Sequence, residues 1–248
     1  MQKPAPRKWV FIAGCYNSGT TLLHDLLALH PLVGAMPNEG QFFTDQLMTG
    51  AKAGVRRLWA SKPGLFRMNE GDHSVNVHRL KKQWAYFYNH PKRPLLIEKT
   101  IANAARTRWL QENFKPASFI CLFRNGYAVA EGIHRKESHP VEIGIQQWVT
   151  ANEILMEDMT YLQRKIQVTY EELTEKPEET VRRITDFLEI EPLPSSVFES
   201  NFQIHKVKSH IRNMNEDAIG NLKPEQLEII NDFAAPTLEK LGYSKINP

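Results

Sequence analysis

The chain reads as an α/β protein in which a parallel sheet carries helices on both faces, and two observations lead there. Four short apolar runs, Trp9–Gly14, Leu95–Glu98, Phe119–Phe123 and Ile166–Thr169, have the length and composition of buried strands. Helical patterns lie between them, and strands that alternate with helices pair in parallel with their ligands at the carboxyl ends. A length of 248 residues is enough for one domain, 1–248, with a full core.

The first run leads into Gly14-Cys15-Tyr16-Asn17-Ser18-Gly19-Thr20-Thr21, and the spacing after it predicts a helix from Thr20 to Leu29. That helix stops before Pro31, because the residue preceding a proline is pushed out of the helical region. A Gly-x4-Gly turn between a strand and a helix aims several backbone N–H groups and the positive end of the helix dipole at one point, so it binds a phosphate. The sheet is therefore expected to be of the P-loop type. One departure stands out: Thr20 occupies the place of the lysine that grips the β- and γ-phosphates in nucleoside triphosphatases. The loop suits a nucleotide without a γ-phosphate.

Residues 50–94 are the least regular stretch, expected to be an insertion or a lid over an acceptor site. Within it, the helical spacing of Trp84-Ala85-Tyr86-Phe87-Tyr88 assigns most of these aromatics to the core. The run Phe119-Ile120-Cys121-Leu122-Phe123 ends at Arg124, which places a permanent charge at the mouth of the ligand crevice. The turn signal Asn125-Gly126 follows, and then a helix from near Tyr127 through Ile133. Val141 to Leu162 is a long helical stretch. Pro177 to Leu188 opens with proline and two glutamates, as helices do, and buries Val181, Ile184 and Leu188. Pro224 opens a last helix, which Pro236 is expected to kink or restart.

Hydrophobic content of 42% and charged content of 24% are those of a globular protein. A net charge of +3 permits an anionic ligand without suggesting a nucleic-acid surface. Cys15 and Cys121 make no disulfide framework, and both fall where a small apolar side chain is wanted. No apolar run approaches the ~20 residues that span a bilayer, and the first residues lack the core of a signal peptide. The expectation is a cytoplasmic protein with no membrane span and no nucleic-acid partner.

Ser18-Gly19-Thr20-Thr21-Leu22-Leu23, with a helix ending at His30-Pro31, resembles the 5′-phosphosulfate loop of sulfotransferases that use 3′-phosphoadenosine-5′-phosphosulfate (PAPS). Further landmarks keep the family's order: Glu98-Lys99-Thr100 at a strand end, Trp148 and Asn152 on the long helix, and Tyr170-Glu171-Glu172-Leu173 before a proline-led helix. The resemblance runs from about Trp9 to Leu188, more faintly to Gly242-Tyr243, and in motif style is nearest to the tyrosylprotein, heparan and bacterial sulfotransferases. It implies PAPS as donor, adenosine 3′,5′-bisphosphate (PAP) as product, no metal, and a small-molecule or carbohydrate-like acceptor presenting a hydroxyl or amine.

The resemblance also assigns residues. Tyr16, Asn17, Ser18, Gly19, Thr20 and Thr21 would hold the 5′-phosphate, and Arg124 the 3′-phosphate. The family pairs that arginine with a serine eight positions on, where this chain has Gly132. Lys206, Lys208, His210 and Arg212 stand where the family closes a loop over the cofactor, although such a run is equally a solvated surface. Glu39, in Pro37-Asn38-Glu39-Gly40-Gln41-Phe42-Phe43, matches a catalytic glutamate of the family, with Phe42 and Phe43 able to desolvate it. The plainer role for Glu39 is an N-terminal charge on the next helix. Asn17 replaces the family's usual Arg or Lys beside the bridging oxygen, and Lys99 is the candidate to supply that charge unless it pairs with Glu98 or a surface carboxylate. Two alternatives stay open. One is a nucleotide-binding protein without transfer activity, suggested by Asn17 and Gly132 together. The other is a small-molecule kinase, opposed by the missing loop lysine and the lack of a strand-terminal aspartate for magnesium.

Overall fold

The computed structural model describes residues 8–199, 202–204 and 207–248. Five strands form one parallel sheet in the order β2-β3-β1-β4-β5, where β1 is Lys8–Gly14, β2 Val33–Ala35, β3 Leu95–Glu98, β4 Ala117–Phe123 and β5 Lys165–Thr169. The four expected strands are present within a residue or two. The sequence did not announce β2, because three residues at a sheet edge are too short for a periodicity.

Alternation along the strands places side chains in two cores. Phe11, Ala13, Phe119, Cys121 and Phe123 point into one, while Val10, Ile12, Ile120 and Leu122 point into the other. The second core is closed by α1 (Thr20–Ala28), through Leu22, Leu23, Leu26 and Leu27, and by α7 (Pro177–Leu188), through Val181, Ile184 and Leu188. The first is closed by α4 (Gly126–Glu137), α5 (Val141–Met159) and α10 (Pro224–Lys240), with aromatic residues from the 50–94 segment.

One expectation needs correction and another is narrowed. The long helix ends at Met159 rather than Leu162, which lies in the turn that follows. Helix α10 runs through Pro236 without restarting. Packing of Ile230, Ala234 and Leu238 on both sides of the proline into the core holds the two halves together at the cost of one backbone hydrogen bond.

The 50–94 segment contains helix α2 (Val77–Phe87) and two 3₁₀ turns. Trp59, Phe66, Leu80, Trp84 and Tyr88 are buried in the first core, so the segment is anchored rather than laid on the surface. Of the aromatic cluster, Trp84 and Tyr88 are core, while Tyr86 is 84% exposed and Phe87 38% exposed. Helical period explains the split: positions 84 and 88 share a face, and 86 lies opposite. Among the described residues no helix is long and apolar enough to cross a membrane.

Candidate active site

The carboxyl ends of β1, β3 and β4 are adjacent in the sheet, and each delivers one candidate group to the same crevice. From β1 comes the loop Cys15–Gly19, with α1 starting at Thr20. Asn17 has φ 69° and Gly19 φ 90°, and these two left-handed residues fold the loop back on itself. A side chain at 19 is further excluded by the Tyr170 ring, whose Cδ2 would lie 2.7 Å from an added Cβ. The loop is thus pressed between α1 and Tyr170. Its Ser18 hydroxyl is buried and has no hydrogen-bond partner among the described residues. The first N–H groups of α1 have no intrahelical acceptors, as at every helix start. A buried hydroxyl and free amides at a helix start are the kind of donors from which an anion cradle is built.

From β3 come Glu98 and Lys99. The buried Glu98 carboxylate accepts from the backbone N–H groups of Gly40 and Thr100, each at 2.8 Å, and from Thr100 Oγ1 and Asn103 Nδ2. With its lone pairs spent in this way, it serves as an anchor. Lys99 turns the other way, and its Nζ donates to Thr21 Oγ1 at 3.0 Å. The expected alternative, an ion pair between Lys99 and Glu98, is not formed.

Glu39 stands at the N-terminus of the 3₁₀ turn Gly40–Phe43, the position of the plainer reading, but makes no side-chain cap on it. The residue is 9% exposed, and its carboxylate accepts from Gln41 Nε2. Burial raises its pKa above the usual 4.5, with Lys99 opposing and Glu98 adding to the shift. The expected aromatic cover is only partly there: Phe42 stays 56% exposed, and Phe43 stacks on Phe87 at 4.5 Å. The groups acting on the carboxylate are Lys99, Glu98, Gln41 and Ile101 instead. Arg106 lies fully buried on the same side, with burial lowering its pKa to about 10 against the opposing charges of Glu98 and Glu39.

From β4 comes Arg124. Its guanidinium lies over the Tyr170 ring at 3.9 Å, donates from Nη1 to the Asn17 carbonyl at 2.8 Å and from Nε to Asn215 Oδ1 at 2.9 Å. Asn215 is held in turn by Glu171, which also accepts from the Asn125 N–H and from Tyr243. The Arg124 carbonyl accepts from Trp148 Nε1 at 2.8 Å, so both ends of the residue are fixed. Sequence reasoning picked out Trp148, Tyr170 and Tyr243 as landmarks; the structure gives their task, which is to orient Arg124 and its support. Asn215 was missed, and no local pattern marked it.

Gly132 packs directly against Asn17: a Cβ at 132 would lie 1.9 Å from Asn17 Nδ2. One helical turn on, Lys136 Nζ donates to Asn17 Oδ1 at 2.6 Å. Lys136 was also missed, although the four-residue spacing from Gly132 puts both on one helix face. Burial and then the charges of Arg135, Arg124 and Arg57 lower the pKa of Lys136. Tyr16, the remaining loop residue, has its hydroxyl between Arg57, which donates at 2.9 Å, and Glu137, which accepts at 3.1 Å. This clasp ties the 50–94 segment to the loop and to the end of α4.

The basic stretch touches this cluster through its backbone, where the Arg212 carbonyl accepts from the Tyr170 hydroxyl at 3.4 Å. Lys206 lies outside the described residues, and Lys208 enters only as a backbone position in the strand pair Phe202–Ile204 and Val207–Ser209. His210 is exposed, and the exposed Arg212 pairs with Asp217 at 3.0 Å. Cys15 and Cys121 are buried and unpaired, and burial pushes both thiols up to about 12, the inert apolar role expected of them.

A profile of the sulfotransferase family matches residues 10–194. The chain is 25% identical over 265 residues to protein-tyrosine sulfotransferase A of Caenorhabditis elegans, a match that covers 95% of this chain and 67% of that protein. Its fold is similar to the sulfotransferase domain of the Synechococcus PCC 7002 olefin synthase, with a TM-score of 0.61, 22% identity, and coverage of 94% of this chain and 98% of that one. A mouse sulfotransferase complexed with PAP superposes with a TM-score of 0.53 at 13% identity, covering 95% of this chain and 86% of the other. These structural likenesses bear on the fold.

Proposed function

Since the chain belongs to the sulfotransferase family, we propose that its loop and Arg124 bind PAPS and that the sulfuryl group passes to a hydroxyl or amine of a small-molecule or carbohydrate-like acceptor. One observation carries this reading. Among the described residues Lys99, Arg124 and Lys136 meet only neutral oxygens, around a loop whose buried Ser18 hydroxyl is unpartnered. Three cations that form no direct ion pair, beside a buried unpartnered hydroxyl, fit a ligand carrying more than one acidic group.

In the step itself, the acceptor oxygen attacks sulfur in line and the bond from sulfur to the bridging phosphate oxygen breaks. The acceptor proton passes to the Glu39 carboxylate, and PAP departs with the bridging oxygen's charge. In this reading Lys99 opposes that charge, a role supported by its ammonium's contact with Thr21 at the start of α1. The charges of Glu39 and Lys99 interact, which supports giving base and cation to the same reaction. Such chemistry depends on positioning and charge stabilisation, and it needs no metal in this reading. The two unpaired thiols support a cytoplasmic setting.

The test is an acceptor screen with radiolabelled PAPS, including sugars, phenols and tyrosine peptides. Label transfer to any acceptor, abolished by excess PAP, is the expected result. Tight PAP binding with no transfer across the panel would favour a binding protein, and magnesium-dependent turnover of ATP would favour a kinase.

A further inference from the structure

Asn17 and Gly132 are one arrangement rather than two separate losses. The Asn17 amide fills the room that a side chain at 132 would occupy, with its Nδ2 only 1.9 Å from the position of a Cβ there. Its orientation is fixed by chemistry: Lys136 can only donate, so the amide atom it meets at 2.6 Å is the oxygen. Nδ2 therefore faces Gly132, and among the described residues it has no acceptor. The Asn17 carbonyl is held by Arg124 Nη1 at 2.8 Å, so backbone and side chain of the same residue are gripped by two different cations. Asparagine also tolerates the left-handed φ of 69° at this point in the loop, which keeps the arrangement free of strain.

The result is a second anion locus beside the first. One consists of Ser18, the start of α1 and Lys99. The other has Arg124, the unspent Nδ2 donor of Asn17 and the ammonium of Lys136, whose pKa is lowered by burial and by the neighbouring charges of Arg135, Arg124 and Arg57. Arg124 and Lys136 form no direct ion pair among the described residues, Glu131 and Glu171 acting only at longer range, and like charges gathered in this way are relieved when a phosphate enters.

Resting on the donor reading above, we infer that Asn17 Nδ2 and Lys136 join Arg124 as ligands of the donor's 3′-phosphate, with Asn17 taking the place of a hydroxyl on α4 that Gly132 does not provide. The loop residue at 17 then serves nucleotide selectivity, and leaving-group stabilisation falls to Lys99 alone.

Calorimetry with PAP and with adenosine 5′-phosphate tests this in the full chain, because the two ligands differ in the 3′-phosphate. Asn17→Gly removes the amide and accepts the left-handed backbone. It should cut the preference for PAP over adenosine 5′-phosphate by about tenfold or more, the worth of a hydrogen bond to a charged group, a ratio in which any loss at the shared 5′-phosphate cancels. Adding Gly132→Ser to Asn17→Gly should restore much of the preference, since a serine hydroxyl then enters the vacated room. Lys136→Ala should lower the preference by a similar factor. An Asn17→Gly protein with wild-type preference and an unchanged melting temperature overturns the inference while the donor reading stands. A wild type that does not distinguish the two ligands overturns the donor reading and this inference with it. If Asn17→Gly loses its thermal transition, Lys136→Ala decides, and wild-type preference in that variant overturns the inference.

Discussion

Glu98 accepts a 2.8 Å hydrogen bond from the backbone N–H of Gly40, and with the Gln41 N–H donating to Thr100 Oγ1 at 3.2 Å this contact ties the turn bearing Glu39 to the end of β3. A carboxylate buried at a strand end would ordinarily be costly; here four donors satisfy it and one of them positions the candidate base. Glu39 and Lys99 thereby come from separate stretches of chain onto one rigid support.

Glu39→Gln is expected to keep the fold and PAP affinity while lowering turnover on the order of 10²–10⁴-fold, the usual contribution of a positioned base. Single-turnover kinetics alongside a melting curve checks it, and a loss below tenfold removes Glu39 from the mechanism.

The raised pKa of Glu39 fixes two signs of pH dependence. Turnover should fall as pH drops through that pKa, on a limb lying above 4.5, because the base is then protonated. Stability runs the other way: a carboxyl whose folded pKa exceeds its unfolded value contributes stability fully below about pH 4.5 and loses it as pH rises through the folded pKa. Glu39→Gln should therefore melt higher than wild type at neutral pH and no higher near pH 4. Equal melting temperatures at neutral pH would contradict the burial cost assigned to this carboxylate.

Arg124→Ala should weaken PAP binding by about 1.5–3 kcal/mol, the range for hydrogen bonds to charged groups, with much less effect on adenosine 5′-phosphate. Since Tyr170 and Asn215 lose their shared partner, a modest drop in melting temperature is also expected. A mutant that still prefers PAP as strongly as wild type would remove Arg124 from the 3′-phosphate site.

For Lys99→Ala the expected signature is a lower kcat with little change in donor affinity, because the charge it opposes grows only as the bridging bond breaks. Rapid-quench measurement of the chemical step separates this from product release. Full activity in the variant, or a loss confined to donor affinity, would assign Lys99 to simple phosphate binding.

Gly19→Ala combines an unfavourable left-handed backbone, worth about 1–2 kcal/mol, with a collision against the Tyr170 ring. Because that ring also supports Arg124, the variant should lose affinity at both phosphate loci and melt several degrees lower. Unchanged PAP affinity would mean that the loop and Tyr170 are not mechanically joined.

The sequence by itself was enough for the parallel sheet, the glycine-bounded turn between β1 and α1, and the placement of Arg124, because these depend on short-range patterns: an apolar run, a Gly-x4-Gly spacing, a charge at a strand end. Glu39 and Lys99 were visible as candidates for the same reason. Their partners were not, since the sequence leaves open whether a lysine beside a glutamate pairs with it, and here the strand geometry sends Glu98 to Gly40 and Lys99 to Thr21. Only the tertiary structure brought Asn17 onto Gly132 and Lys136, which are 115 and 119 positions further along the chain. Pairing of β1 beside β4 sets the loop after one against the helix after the other, and at that contact the room left by a missing Cβ is filled by a side chain from the loop.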